Sequence, residues 1–166
     1  MYSTDLLLTA IQNQFRILKH LWTKVTAENQ NFTITEGTRT ALELMKYLAF
    51  EAPAQINLIQ QWWWDADLYK SWQDKWVDFT YDKFANTLDE AYVYIEWVIK
   101  SLTPEQLNEH MEMRWMSWSR TVFLTNYFLV FLGAYTNQLF LILKASGLKN
   151  LWSWNLRAGI DEPKKA

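Results

Sequence analysis

Apolar residues recur with a helical period in three segments of the chain. Steps of three and four residues place these side chains on one face of a helix. The first stripe consists of Ile11, Phe15, Leu18, Trp22 and Val25. The second consists of Leu44, Leu48, Ala52, Ile56 and Ile59, and the third of Phe84, Leu88, Ala91, Ile95, Val98 and Leu102. We expect three amphipathic helices, with a kink or bend in the second at Pro53.

A fourth segment is apolar over a length that could cross a bilayer. The 23 residues from Thr121 to Leu143 carry no charged side chain, and about 20 such residues suffice for a membrane span. However, the segment contains three amides, which a lone spanning helix would leave in lipid. These are Asn126, Asn137 and Gln138. A central helix of a soluble bundle is also apolar nearly all round, so we interpret residues 119–146 as a buried helix.

Residues at the ends of these segments support the helix assignment. Thr40 and Glu43 have the spacing of a capping box, and Gly147 is placed to end the fourth helix. Residues 103–106 (TPEQ) combine a threonine N-cap with proline at the first helical position. A short helix should therefore begin at Pro104.

The remaining segments predict shorter elements. Residues 61–81 are rich in aromatic rings and indicate a short helix followed by a connection, whereas residues 111–116 alternate as an extended connector does. Residues 150–166 form a tail, which we expect Trp152 and Trp154 to anchor. The whole chain, 1–166, is thus predicted to be a single all-α domain, a four-helix bundle with short auxiliary helices.

Composition excludes several classes of function. The absence of cysteine excludes disulfides, cysteine-ligated metals and a thiol nucleophile. Two histidines, His20 and His110, are too few for a site with three histidine ligands from one chain. The net charge of −2 gives no support for nucleic-acid binding. Asp5 lies where a signal peptide would carry a basic residue, so we expect a cytoplasmic protein that contacts neither nucleic acid nor a membrane.

Aromatic residues are abundant, with 11 Trp, 8 Tyr and 9 Phe. Helical spacing places four side chains on one face of the fourth helix, with Tyr47 of the second helix able to face them. These four are Tyr127, Phe131, Tyr135 and Gln138. One interpretation is a set of core or boundary rings. The other is an aromatic pocket with polar hydroxyl groups at its rim.

Both histidines lack the context of a metal site. Neither has glutamate three residues before it, so the ligand motif of di-iron bundles is absent. Glu109, His110 and Glu112 lie close together and could ligate a metal, but residues on an exposed connector are usually solvated. His20 lies between a polar face and the apolar stripe, and we interpret it as a boundary residue.

Three segments of the sequence, in order, resemble the DinB-like superfamily, whose name comes from a DNA-damage-inducible gene. They are residues 38–49 (TRTALELMKYLA), residues 102–107 (LTPEQL) and residues 134–147 (AYTNQLFLILKASG). The resemblance covers roughly residues 5–160. It implies a four-helix bundle with up-down-down-up topology, which is often dimeric.

The resemblance also implies a metal site that this chain does not keep. Typical members bind a divalent metal through three histidines in a cleft, and characterised members include thiol-dependent transferases and isomerases. The matching positions here are Tyr47, Phe131 and Tyr135, while the glutamine of the motif is kept as Gln138. Phenylalanine cannot ligate a metal, and a neutral tyrosine with a pKa near 10 is a poor ligand. We therefore expect no metal and no cofactor.

Three hypotheses of function follow. The first is a metal-free bundle that binds a small ligand or regulates a partner through the degenerate cleft, and is not an enzyme. The alternative is a metal- or thiol-dependent transferase or hydrolase with a non-standard site. The third is a structural protein in which Trp62, Trp63 and Trp64 form a homodimer interface. We favour the first and expect a homodimer without tying it to those tryptophans.

Overall fold

The computed structural model describes residues 4–61, 65–75, 77–113 and 116–161 of the chain. The long helices are α1 (Thr4–Trp22), α2 (Ala41–Gln61), α4 (Phe84–Ser101) and α7 (Leu129–Ala145), and the shorter ones are α3 (Ala66–Lys75), α5 (Pro104–Asn108), α6 (Arg120–Val122) and α8 (Ser153–Arg157). A 3-10 turn (Tyr81–Lys83) precedes α4, and a π-helical segment (Phe123–Phe128) joins α6 to α7. Two strands, β1 (His110–Met113) and β2 (Met116–Ser119), pair in antiparallel register.

The four long helices pack as a bundle around one apolar core. Helices α1 and α2 each pack against both α4 and α7. The three predicted stripes supply much of this core. Their fully buried members include Ile11, Leu18, Leu44, Leu48, Ile56, Phe84, Leu88 and Ile95. The all-α fold class predicted from the sequence is confirmed.

The predicted helix ends are present. The backbone N–H of Thr40 donates to Glu43 Oε2 at 2.8 Å, and that of Glu43 donates to Thr40 Oγ1 at 3.2 Å. Thr103 caps α5 in the same way, with proline at the first position. Gly147 follows the end of α7 with φ +97°, a conformation that side chains disfavour. Helix α2 runs through Pro53 without interruption.

The apolar fourth segment is a helix with one buried face. By length and composition, Arg120–Ala145 could cross a membrane, and 39% of its most apolar window is buried. The buried residues include Leu132, Thr136, Leu139 and Leu143. The opposite face exposes Val130 and Leu141. A core helix of a soluble protein passes the same composition test, so the segment is weak support for a span.

The extended connector is a β-hairpin. Met111 of β1 pairs with Trp118 of β2, and its side chain lies in the core. For the described residues of 111–116, the alternation predicted extended backbone correctly but not its pairing. The tryptophans of the proposed dimer interface, Trp62, Trp63 and Trp64, lie outside the described residues.

Two residues other than the predicted tryptophans anchor the C-terminal segment. Trp152 and Trp154 are 51% and 48% exposed, so the expectation that they anchor the tail is wrong. Instead, Leu151 is buried and Asn155 of α8 is fully buried beside α1. The Asn155 amide nitrogen lies 2.9 Å from His20 Nε2 and donates to Asp161 Oδ1 at 3.0 Å. His20, interpreted from the sequence as a boundary residue, thus takes part in the contact between α1 and α8.

His20 should make stability depend on pH. Burial and the nearby Lys24 lower the pKa of His20 below its ordinary value of 6.5. The unfolded chain then binds a proton more readily than the folded one. The free energy of unfolding should therefore fall as pH drops below about 6.5. Urea unfolding between about pH 5.5 and 7.5 measures this slope.

The matched variant is His20→Gln, which keeps a polar side chain but cannot titrate. Its unfolding free energy should vary less with pH across this window. The same slope in both proteins would contradict the assignment, since the remaining dependence would then belong to the carboxylates.

Candidate functional site

Helices α2 and α7 bring together three of the predicted site residues. The ring of Tyr47 lies 5.1 Å from that of Tyr135 and 6.2 Å from that of Phe131, measured between centroids. Phe131 and Tyr135 are 5.0 Å apart. All three side chains are half-buried. Tyr47, Phe131 and Tyr135 thus form one cluster of rings, hereafter the aromatic cleft.

The π-helical segment separates Tyr127 from this cleft. The backbone N–H of Leu129 donates to the carbonyl of Leu124, five residues earlier, which shifts the phase of the helix relative to α geometry. The ring of Tyr127 packs against that of Phe123, four residues earlier, at 6.3 Å between centroids. Gln138 is half-buried on α7, three residues after Tyr135.

A buried carboxylate lies on α2 one turn beyond Tyr47. Glu51 is 6% exposed. Its Oε1 accepts a hydrogen bond from Gln55 Nε2 at 2.5 Å, and its Oε2 accepts one from the Tyr69 hydroxyl at 3.0 Å. Tyr69 belongs to α3, and its ring packs edge-on against Phe50 at 5.7 Å. Helix α3 therefore packs against the middle of α2.

One acceptor beside this carboxylate has no partner among the described residues. Gln55 is 7% exposed, and its Oε1 forms no hydrogen bond in the part of the chain that the structure describes. Leaving a buried acceptor unsatisfied costs about 1–3 kcal/mol. A buried acceptor without a partner calls for an explanation, and a ligand that donates to it is one.

An arginine lies over the rings of the cleft. The guanidinium carbon of Arg39 is 4.0 Å from the ring centroid of Tyr47 and 6.0 Å from that of Tyr135. Arg39 is an exposed residue just before the N-cap of α2. Its charge is attracted to the electron-rich ring faces.

Burial and charge keep the phenols of this site neutral. Burial, the charge of Glu51 and a hydrogen bond to Tyr135 all raise the pKa of Tyr47 well above its ordinary value. Burial and Glu51 raise the pKa of Tyr69 to about 12. Both hydroxyl groups therefore remain protonated near neutral pH and act as hydrogen-bond donors.

The cleft does not fit the metal that the sequence resemblance implies. Phe131 offers no donor atom, and Tyr47 would have to lose a proton whose pKa is raised. Among the described residues, no group of three or more His, Asp and Glu side chains is placed to hold an ion. In the cluster of Glu109, His110 and Glu112, the Oε2 atom of Glu109 pairs with Nη1 of Arg120 at 3.3 Å.

Three pockets found on the described surface lie elsewhere. One, of about 560 Å³, lies between α1 and α4 beside Phe15 and Tyr92. Another lies beside Lys24 and Trp152, and a third is an apolar patch around Trp97. None of these three is lined by a residue of the aromatic cleft.

Three residues around the cleft were not predicted from the sequence: Glu51, Arg39 and Tyr69. Glu51 left a signal, because it is a charged residue within the apolar run that precedes Pro53. It also follows Tyr47 by four residues, which puts both on one face of a helix. Arg39 and Tyr69 reach the site only through tertiary packing, which spacing along the chain does not encode.

Comparison with known proteins supports the fold. No family model and no curated protein matches the sequence. The structure is similar to the crystal structure of YjoA, a DinB-like protein from Bacillus subtilis. The TM-score is 0.68 at 16% sequence identity, and the match covers 88% of this chain and 95% of that one. The chain therefore has the DinB-like fold, as its sequence motifs predicted.

Proposed function

We propose that this chain binds a small ligand at the aromatic cleft and needs no metal to do so. The observation that carries the proposal is the buried carboxylate of Glu51, one helical turn beyond Tyr47 and hydrogen-bonded to Tyr69. An apolar residue at this position would pack without the cost of burying a charge. Residues that break the local rule of an apolar core are typical of functional sites.

The hydrogen-bonding groups of the cleft suit recognition better than catalysis. Tyr47 and Tyr69 present neutral hydroxyls, Glu51 presents a carboxylate, and the rings provide apolar surface. A few polar groups on an aromatic wall are typical of small-ligand sites. A ligand would displace the Arg39 side chain, whose contacts among the described residues are with the faces of the Tyr47 and Tyr135 rings.

The test is a ligand screen by NMR in the presence of a chelator. We expect bound compounds to shift the ring signals of Tyr47, Phe131 and Tyr135. The double variant Tyr47→Phe/Tyr135→Phe should weaken binding about tenfold, because two hydroxyl hydrogen bonds are lost.

Tyr92→Phe is the matched control, since Tyr92 is half-buried in the groove between α1 and α4. It should leave affinity unchanged. The proposal fails if no compound perturbs the cleft signals, or if the double variant binds every ligand as the parent does.

A near-stoichiometric transition metal would favour the alternative, a metal- or thiol-dependent transferase or hydrolase with a non-standard site. Elemental analysis of protein purified without an affinity tag separates the two functions. A metal content near zero, with no binding of added Zn²⁺, would count against the alternative.

We also propose a cytoplasmic homodimer that contacts neither nucleic acid nor a membrane. The net charge of −2 supports the absence of nucleic-acid contact. A symmetric dimer is the commonest soluble oligomer.

A further inference from the structure

We propose that the ligand of the aromatic cleft is a small organic cation with N–H donors, a primary ammonium or guanidinium compound, and that Arg39 occupies its place in the free protein. This inference rests on the proposed function and names the ligand class of the same site. Three features of the structure support it.

The first feature is the ring cluster. Tyr47, Phe131 and Tyr135 lie with centroids 5.0–6.2 Å apart and turn about 60° to one another. Aromatic groups in this arrangement attract cations through their ring faces. Arg39 already shows the contact, with its guanidinium carbon 4.0 Å from the ring centroid of Tyr47.

The second feature is charge. The Glu51 carboxylate is buried, and its hydrogen-bond partners Gln55 and Tyr69 are both neutral. Arg39 and Glu51 both act on the hydroxyls of Tyr47 and Tyr69, which places the two charges in one neighbourhood. They nevertheless form no ion pair within 4.0 Å among the described residues. A bound cation that came closer to Glu51 than Arg39 does would neutralise its carboxylate, whereas the carboxylate would repel an anion.

The third feature is the unsatisfied acceptor. Gln55 Oε1 is buried without a hydrogen bond among the described residues. Glu51 keeps lone pairs beyond the two that Gln55 and Tyr69 use. The remaining acceptor positions of Gln55 and Glu51 therefore lack hydrogen-bond donors among the described residues. A ligand that carries several N–H groups supplies them, and a quaternary ammonium does not.

The position of Arg39 predicts how the ligand gains access. Arg39 is exposed and precedes the first turn of α2, so its side chain can leave the rings for solvent without disturbing the helix. Because its guanidinium competes with a ligand for the same ring faces, removing it should strengthen binding.

The experiment titrates the full chain with five small probes and follows each titration by NMR. Butylguanidinium and butylammonium should shift the ring signals of the cleft. Butyrate and pentanol should not, and tetramethylammonium should bind more weakly than butylammonium. Arg39→Ala should tighten butylguanidinium binding about fivefold, and Glu51→Gln should weaken it about tenfold.

Matched variants separate local from general effects of charge. Arg157→Ala removes an exposed arginine on α8, and Glu36→Gln neutralises an exposed glutamate outside the cleft. Both should bind as the parent does. Should Glu51→Gln fail to fold, Arg39→Ala decides the test alone, because its side chain is exposed.

Two results would overturn the cation assignment. One is the absence of ring shifts with either N–H cation in Arg39→Ala at millimolar concentration. The other is equal binding of pentanol or butyrate. If the broader screen still finds a neutral or anionic ligand in the cleft, the proposed function stands and only the ligand class is wrong. If that screen is also empty, both fail.

Discussion

Replacing Arg120 by methionine is expected to lower the free energy of unfolding by about 3 kcal/mol, because three carbonyl groups lose a donor at about 1 kcal/mol each. Arg120 is 2% exposed. Its Nε donates to the Ile59 carbonyl at 2.9 Å, its Nη2 to that of Gln60 at 3.3 Å, and its Nη1 to that of Gln106 at 2.6 Å.

The position of these carbonyls explains the size of the effect. Two of them belong to the last turn of α2, where helix carbonyls have no partner within the helix. A cation there also interacts favourably with the helix dipole. The third belongs to α5, so one side chain joins the end of α2 to the segment that leads into the hairpin. Methionine fills a similar volume and supplies no donor.

Urea unfolding measures the change, with Arg157→Ala as the control. Arg157 is exposed on α8, and its loss should change the free energy of unfolding by less than about 0.5 kcal/mol. The loss of unfolding free energy in Arg120→Lys should lie between those in Arg120→Met and Arg157→Ala, because lysine keeps the charge without the planar set of donors. A loss below about 1 kcal/mol in Arg120→Met would show that water replaces the side chain at these carbonyls.

Local signals in the sequence predicted most of the helical framework. The capping pair Thr40 and Glu43, the proline at 104 and the glycine at 147 all lie where the structure has helix ends. These signals act within one turn of a helix, so they can be found from spacing alone. The sequence also indicated that Tyr47 could face Tyr135, because spacing put Tyr135 on one face of the fourth helix and the family resemblance related the two positions; the rings are in contact.

Features that depend on tertiary contacts were missed. The π-helical segment between Phe123 and Phe128 leaves no signal in an uninterrupted apolar run. Asn155 is fully buried although asparagine is usually exposed, because His20 and Asp161 lie within hydrogen-bonding distance. The tryptophans beside it, more apolar and thus the expected anchors, face solvent.

The triple variant Tyr47→His/Phe131→His/Tyr135→His is expected to bind one Zn²⁺ per chain, whereas the parent chain is expected to bind none at this site. Zinc bonds to imidazole nitrogen at about 2.0–2.1 Å, which puts ring centroids about 3.2 Å from the ion. Tetrahedral angles then separate two such centroids by about 5 Å. The rings now at these positions are 5.0, 5.1 and 6.2 Å apart.

Calorimetric titration with Zn²⁺ measures the gain, and Tyr47→His/Tyr135→His, which keeps Phe131, is the matched control. Because the third ligand is missing, the double variant should bind at least about 100-fold more weakly. Equal zinc affinity in the two variants would mean that the side chain at 131 does not point at the ion. The correspondence between Phe131 and a metal ligand, drawn from the sequence motif, would then be wrong. If only the triple variant binds zinc tightly, the cleft keeps the geometry of a metal site, and the identity of three side chains alone separates it from one.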